Sequence, residues 1–115
     1  MKYRGSCHCG RIVFQAEGDL GEVLACNCSI CRRKGSLLWF VPRTRFELLA
    51  GAEGMGRYTF NTHAIAHRFC PDCGIHPFAE AAGPDGRPVA AINARCLEDV
   101  DLASLQVRHY DGRAI

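Results

Sequence analysis

Residues 26–36, Cys26-Asn-Cys-Ser-Ile-Cys-Arg-Arg-Lys-Gly-Ser36, place three cysteines within six positions and three basic side chains directly after them. Three thiolates are one short of the four that close a tetrahedral structural zinc site. The reading of the chain therefore turns on the fourth donor. It comes either from elsewhere in the sequence or from a ligand that enters from outside.

Working outward, the other cysteines are Cys7 and Cys9 in "SCHCG", Cys70 and Cys73 in "FCPDCG", and Cys96 alone. Two cysteines three apart, with Pro71 between them and Gly74 after, form a tight turn that aims both sulfurs at one ion. The turn's backbone N–H groups can then hydrogen-bond the thiolates. Each pair supplies two ligands, so the economical assignment joins Cys7, Cys9, Cys70 and Cys73 into one closed four-cysteine site. A thioredoxin-like dithiol at Cys70 and Cys73 would need a helix start inside a βαβ unit, and nothing here reads as one. Cys26, Cys28 and Cys31 are left as a separate set. Spacing alone leaves open whether Cys96 closes it or whether its fourth position receives a thiol.

The remaining composition narrows the classes. The chain has 115 residues, suited to one domain (residues 1–115) with a modest core. Its 14 basic and 12 acidic side chains give a net charge of +2, too balanced to argue for nucleic acid or a membrane surface. No apolar run has the length of a signal peptide or of a bilayer span, which directs the expectation to the reducing cytoplasm. Eight cysteines in that compartment read as metal ligands or reactive thiols rather than disulfides. A core this small is expected to draw folding free energy from metal, on the order of 10 kcal/mol for a structural zinc.

Turn signals recur at 18–19, 51–56, 83–86 and 111–112, with strand-like runs at 11–16, 37–41, 46–49, 57–60, 89–93 and 105–110. "GPDGRPVAAIN" reads as a hairpin loop feeding a buried strand. Helix is confined to a turn or two over 29–34 and a second short segment over 98–105, capped by Asp99 or Asp101. The expectation is a mainly β, zinc-stabilised single domain of short antiparallel strands with minimal helix. Trp39, Phe40, Phe46, Phe60, Phe69 and Phe78 are assigned to its core.

Five histidines are present. His8 lies between two cysteines and points away from their metal. His63 and His67, the latter three residues before Cys70, are candidates for a proton shuttle or for supporting the second metal, against the commoner role of a satisfied structural histidine. His76 and His109 carry no such signal. Arg32, Arg33 and Lys34 either attract an anionic thiol to the three-cysteine set or form a solvated face.

In order, "GSCHCGRIVF", "CNCSICRRKGS", "YTFNTHAIAHRFCPDCGIHPF", "VAAINARCLEDVDL" and "YDGR" resemble the glutathione-dependent formaldehyde-activating family, which includes the centromere-protein-V-like proteins. The resemblance runs from about Gly5 to Arg113. It implies a zinc-dependent β-tent fold and two Zn2+ ions per chain. One is structural, on Cys7, Cys9, Cys70 and Cys73; the other is on Cys26, Cys28 and Cys31, where a glutathione sulfur can enter. It also implies a carbon–sulfur lyase type of activity, joining formaldehyde to glutathione as S-hydroxymethylglutathione. Under that resemblance Arg32 and Arg33 would meet the glutathione carboxylates. Asn61 and His67 would support the second metal, with His67 the candidate proton donor. The partner expected is a small thiol, with no nucleic acid and no membrane. The alternative is a non-catalytic two-zinc scaffold for interactions.

Overall fold

Alternating inward and outward side chains, punctuated by turns, organise residues 1–113, the part that this computed structural model describes. In chain order the strands are β1 (Lys2–Ser6), β2 (Val13–Glu17), β3 (Glu22–Cys26), β4 (Leu38–Pro42), β5 (Phe46–Ala50), β6 (Gly56–Tyr58), β7 (Ala66–Phe69), β8 (Phe78–Ala82), β9 (Pro88–Asn93) and β10 (Gln106–Tyr110). The one α-helical turn among the described residues, α1 (Cys31–Lys34), follows β3. The strands form a three-stranded sheet ordered β1-β2-β5 and a seven-stranded sheet ordered β10-β3-β4-β9-β8-β7-β6. This is a mainly β domain with little helix, as its sequence led us to expect.

The core lies where the sheets face each other. Phe14 of β2 is fully buried and stacks on Phe46 of β5, with ring centroids 5.4 Å apart. Phe46 in turn meets Phe78 of the large sheet at 4.7 Å. Burying each such side chain contributes about 1.5–3 kcal/mol, so this cluster holds the two sheets together. The two-residue period of a strand explains β4: Trp39 and Val41 face the core, whereas Phe40 is 50% exposed. Phe40 is therefore not the core residue it was expected to be, and Phe60 and Phe69 are only half-buried. Phe14 takes the central place instead.

One strand pair departs from the antiparallel pattern. β10 runs parallel to β3, from Gln106 opposite Glu22 to Tyr110 opposite Cys26. The chain thus ends its last strand beside the first cysteine of the "CNCSIC" stretch. The segment over 98–105 is not a regular helix. It contracts to a 3₁₀ turn at Leu102–Ser104, capped by Asp101, whose Oδ1 accepts from the Ala103 N–H at 3.1 Å. Asp99 cannot cap it, because it takes a left-handed φ of 55°. The hairpin at 83–86 joins β8 to β9 as expected.

Candidate metal centres

The first cysteine set is assembled by two distant turns. Cys7 and Cys9 follow β1, and Cys70 and Cys73 follow β7. The four sulfurs lie within 4.8 Å of one another, with Cys7 to Cys9 at 3.7 Å and Cys9 to Cys70 at 3.6 Å. A tetrahedron with sulfurs about 2.3 Å from a central zinc has edges of about 3.8 Å, so the spacing and the all-sulfur donor set fit that ion. Backbone N–H groups serve every sulfur: Ile12 to Cys7, Arg11 to Cys9, Cys73 to Cys70 and Ile75 to Cys73. The Ile75 N–H is the leading cause that holds the Cys73 thiol down at about 6, whereas at Cys9 the Arg11 N–H is outweighed by the Cys70 sulfur and burial, which push that thiol up to about 12. The Arg11–Asp72 ion pair at 2.8 Å spans the two turns from outside.

The second set comes from one continuous stretch. Cys26 ends β3, Cys28 lies in the following turn, and Cys31 opens α1, with all three sulfurs within 4.8 Å of one another. Burial, then the neighbouring Cys28 and Cys26 sulfurs, pushes the Cys31 thiol up to about 12. Three thiols so placed resist ionising together unless a cation joins them. The set fits a soft divalent metal with three protein donors.

Cys96 is not the missing fourth donor. It lies outside both sulfur groups. A Cβ on Gly5 would come 2.8 Å from the Cys96 carbonyl oxygen, which puts Cys96 beside the first set, and burial, then the Cys7 and Cys73 sulfurs, pushes its thiol up to about 11. The bridge of Leu97 to Gly5, two residues before Cys7, anchors it there.

The three basic residues after Cys31 do not share a face. Successive residues of a helix point about 100° apart, and here each goes to a different place. Arg32 lines a groove of about 600 Å³ together with Cys26, Cys31, Arg95 and His109. Arg33 donates to the Ser29 carbonyl at 2.7 Å and borders a second hollow beside Tyr58 and Phe60. Lys34 turns inward, its Nζ 3.3 Å from His67 Nδ1.

His67 is 4% exposed and stacks on Phe60 with ring centroids 5.7 Å apart. Burial, then the Lys34 and His76 charges, holds its pKa down at about 4, so the ring is neutral near pH 7. An ammonium only donates, so Nδ1 accepts from Lys34 and the ring proton sits on Nε2. That buried nitrogen has no hydrogen-bond partner among the described residues. His63 is exposed and bonded to Thr59 Oγ1 at 2.7 Å, and Asn61 is exposed in the same turn with a φ of 57°.

Two contributors had no role readable from the sequence. Asn93 Oδ1 accepts from the backbone N–H groups of Leu37 and Arg95, and its Nδ2 donates to the His76 carbonyl. It thereby ties the wall of the groove to Arg95. Gly112 donates its N–H to Asn27 Oδ1 at 2.7 Å and lies over Cys26, so a Cβ there would come 2.6 Å from Cys26 Sγ. The "N.RCL" and "YDGR" patterns marked both positions without giving their roles.

The family model described as glutathione-dependent formaldehyde-activating enzyme matches residues 2–110. The crystal structure of a protein from Rhodobacter sphaeroides superposes with a TM-score of 0.78 at 26% identity, over 91% of this chain and 99% of that one.

Proposed function

The chain belongs to the glutathione-dependent formaldehyde-activating family, and from that premise we infer that it joins a thiol of the glutathione type to formaldehyde or a similar small aldehyde at Cys26, Cys28 and Cys31. The observation that carries this reading is the placing of Cys96 beside the first cysteine set, which leaves the second with three sulfurs at a groove. On this reading residues 1–115 act as one zinc-binding domain, in which Cys7, Cys9, Cys70 and Cys73 hold a purely structural ion.

Cys26, Cys28 and Cys31 would hold a zinc ion, which when bound would supply a cation able to keep an incoming thiol ionised at neutral pH. The thiol's proton leaves to solvent, sulfur bonds to the carbonyl carbon as the C=O π bond opens, and the resulting alkoxide takes up a proton. Cys26 and Cys31 form the floor of the groove on which the sulfur settles. Arg32 offsets the negative charge of the three thiolates and of the substrate's carboxylates. Lys34 balances that charge from the inner side. His67, held by Lys34 through Nδ1, is buried and does not line the groove, so on this reading water rather than His67 gives the alkoxide its proton.

The test is X-ray absorption at the zinc edge on metal-assayed protein with and without glutathione. Two zincs per chain and a rise in mean sulfur count on adding glutathione are expected. Four sulfurs on both ions beforehand, unchanged by glutathione, would leave a non-catalytic two-zinc scaffold as the better account.

A further inference from the structure

Residues two apart along a strand share a face, and one apolar face of the large sheet continues from the core to the three-cysteine set. In the parallel pair of β10 and β3, Val107 stands opposite Val23 and His109 opposite Ala25. Val23 is 2% exposed, whereas Val107 is 38% exposed on a strand with no buried residue. The apolar face thus runs out of the core into the groove beside Cys26 and Cys31, which Ala25 and Val107 line. Leu37 extends it, as do Leu102 and Ala103 of the 3₁₀ turn. Ser36 also borders the groove, but its Oγ is buried, and no Asp or Glu lines it. Hydrocarbon therefore lies next to the sulfurs.

The place of this surface dictates what it can touch. A thiol sulfur settled at Cys26 and Cys31 bonds to the carbonyl carbon, so any substituent on that carbon begins one bond from the sulfur and extends along the groove. Formaldehyde carries only hydrogens there and would leave the hydrocarbon facing water. A chain of several carbons would cover it, and each methylene fully buried is worth about fourfold in affinity. The cations of the groove belong to Arg32 and Arg95. The side chains of Leu102, Ala103 and Val107 offer no partner to a charged or hydrogen-bonding substituent, so a polar chain would lose its water without compensation.

We propose that Leu102, Ala103 and Val107 set the specificity for the aldehyde, so that the site binds aldehydes bearing an apolar chain of several carbons, as thiol adducts, more tightly than it binds the formaldehyde adduct. This rests on the thiol-addition reading given above and specifies its second substrate. The bonds are the same for any such aldehyde. Sulfur bonds to the carbonyl carbon as the C=O π bond opens, the thiol's proton leaves to solvent, and the alkoxide oxygen takes a proton from water. The chain stays on the carbon and passes unchanged into the product.

S-hexylglutathione and S-methylglutathione differ only in the chain on sulfur and so isolate its contribution. Their affinities for the metal-loaded protein are measured by calorimetry for the wild type, Ala103→Glu and Val107→Lys, with Leu49→Lys, at an exposed position of β5 outside the groove, as control. Ala103 and Val107 are both exposed, and thermal melts confirm that each variant is folded. The wild type should bind the hexyl probe at least tenfold tighter than the methyl probe. That advantage should disappear in Ala103→Glu and Val107→Lys and persist in Leu49→Lys. With the uncatalysed addition subtracted, the ratio of kcat/KM for hexanal to that for formaldehyde should fall at least tenfold in the two groove variants. In parallel, the visible spectrum of cobalt-substituted wild type is recorded as glutathione is added. Equal affinities for the two probes, with a spectrum that shifts, would overturn the aldehyde preference and leave the thiol reading standing. A hexyl advantage retained in both groove variants would place the chain elsewhere and overturn it as well. A hexyl advantage that both variants remove, with the spectrum fixed, would uphold the apolar subsite and bring down the thiol-to-metal reading.

Discussion

Cys9 and Cys70 meet across 61 positions of sequence, whereas Cys26, Cys28 and Cys31 come from a single stretch. The first set sits between two turns with a backbone N–H for every sulfur; the second sits where a strand ends and a helical turn begins, next to a groove. A metal on distant segments closes a long loop and becomes part of the fold. One on a local segment constrains little beyond that segment. On the proposed reading the first site serves stability and the second chemistry, and that division can be broken or sharpened by experiment.

The largest contrast is between Cys70→Ser and Cys26→Ser. A structural zinc contributes on the order of 10 kcal/mol, comparable with the whole stability of a small domain. Cys70→Ser, at a fully buried sulfur, should leave the chain unfolded or aggregated at room temperature. Cys26→Ser should lose one metal per chain and lower the melting temperature by only a few degrees. Metal content and circular dichroism read both. Equal losses of structure from the two substitutions would erase the distinction between the sites.

The cysteine arithmetic that separates these sites is legible in the sequence, because ligand spacing is a local geometric requirement that "CPDC" and "CNCSIC" carry on their own. The β class is legible too, from turn residues and β-branched runs. Four strands are not. β1 is polar, with only Gly5 buried; β3 is absorbed into the approach to Cys26. β7 is short and carries two basic side chains, and β8, "FAEAA", is alanine-rich with low strand propensity; it is a strand because β7 and β9 flank it. The same limit applies at the groove. Arg95 lies 60 residues from Gly35, and no local pattern announces a contact made by tertiary packing. The basic run "RRK" reads as one charged patch, whereas a single helical turn sends its members to three different places.

His67 couples the two sites, standing three residues before Cys70 with its ring against Lys34 of the second. Its folded pKa, about 4, lies below the 6.5 of a free histidine. Between those values the unfolded chain binds more protons. Stability from the neutral ring is therefore complete above about pH 6.5 and lost as the pH falls toward 4. At 1.36 kcal/mol per unit, about 2 kcal/mol should vanish between pH 7 and pH 5. Denaturant titrations at both pH values, on metal-loaded protein, should show that part of the acid loss missing in His67→Phe. Identical acid losses in the two proteins would mean that the ring is not buried as a neutral base.

A smaller effect should mark Lys34. Its half-buried ammonium has no carboxylate partner among the described residues, and the Cys31 and Cys28 charges oppose the depression of its pKa by burial. It acts as counter-charge to the three-cysteine centre. Lys34→Met keeps the stem's packing and removes the charge, so the second site should bind zinc about tenfold more weakly, within the range for groups that support metal ligands. Competition with a chromogenic chelator would resolve two affinities in both proteins, with only the weaker one moved. A shift in the tighter affinity instead would place Lys34's influence at the wrong site.

The smallest expected effect is the most discriminating. Cys96→Ser replaces a half-buried thiol that lies outside both sulfur groups, and the hydroxyl is close to it in size. Two metals per chain should remain, and the stability change should stay under about 1 kcal/mol, as for substitutions that remove no ligand and open no cavity. If Cys96 closed the second set instead, the same substitution would lower metal content toward one per chain and destabilise the fold. The groove would then end at a saturated centre with no place for an incoming thiol. The near-silence of Cys96→Ser is therefore what the open site requires, and a fall toward one metal per chain would favour the scaffold.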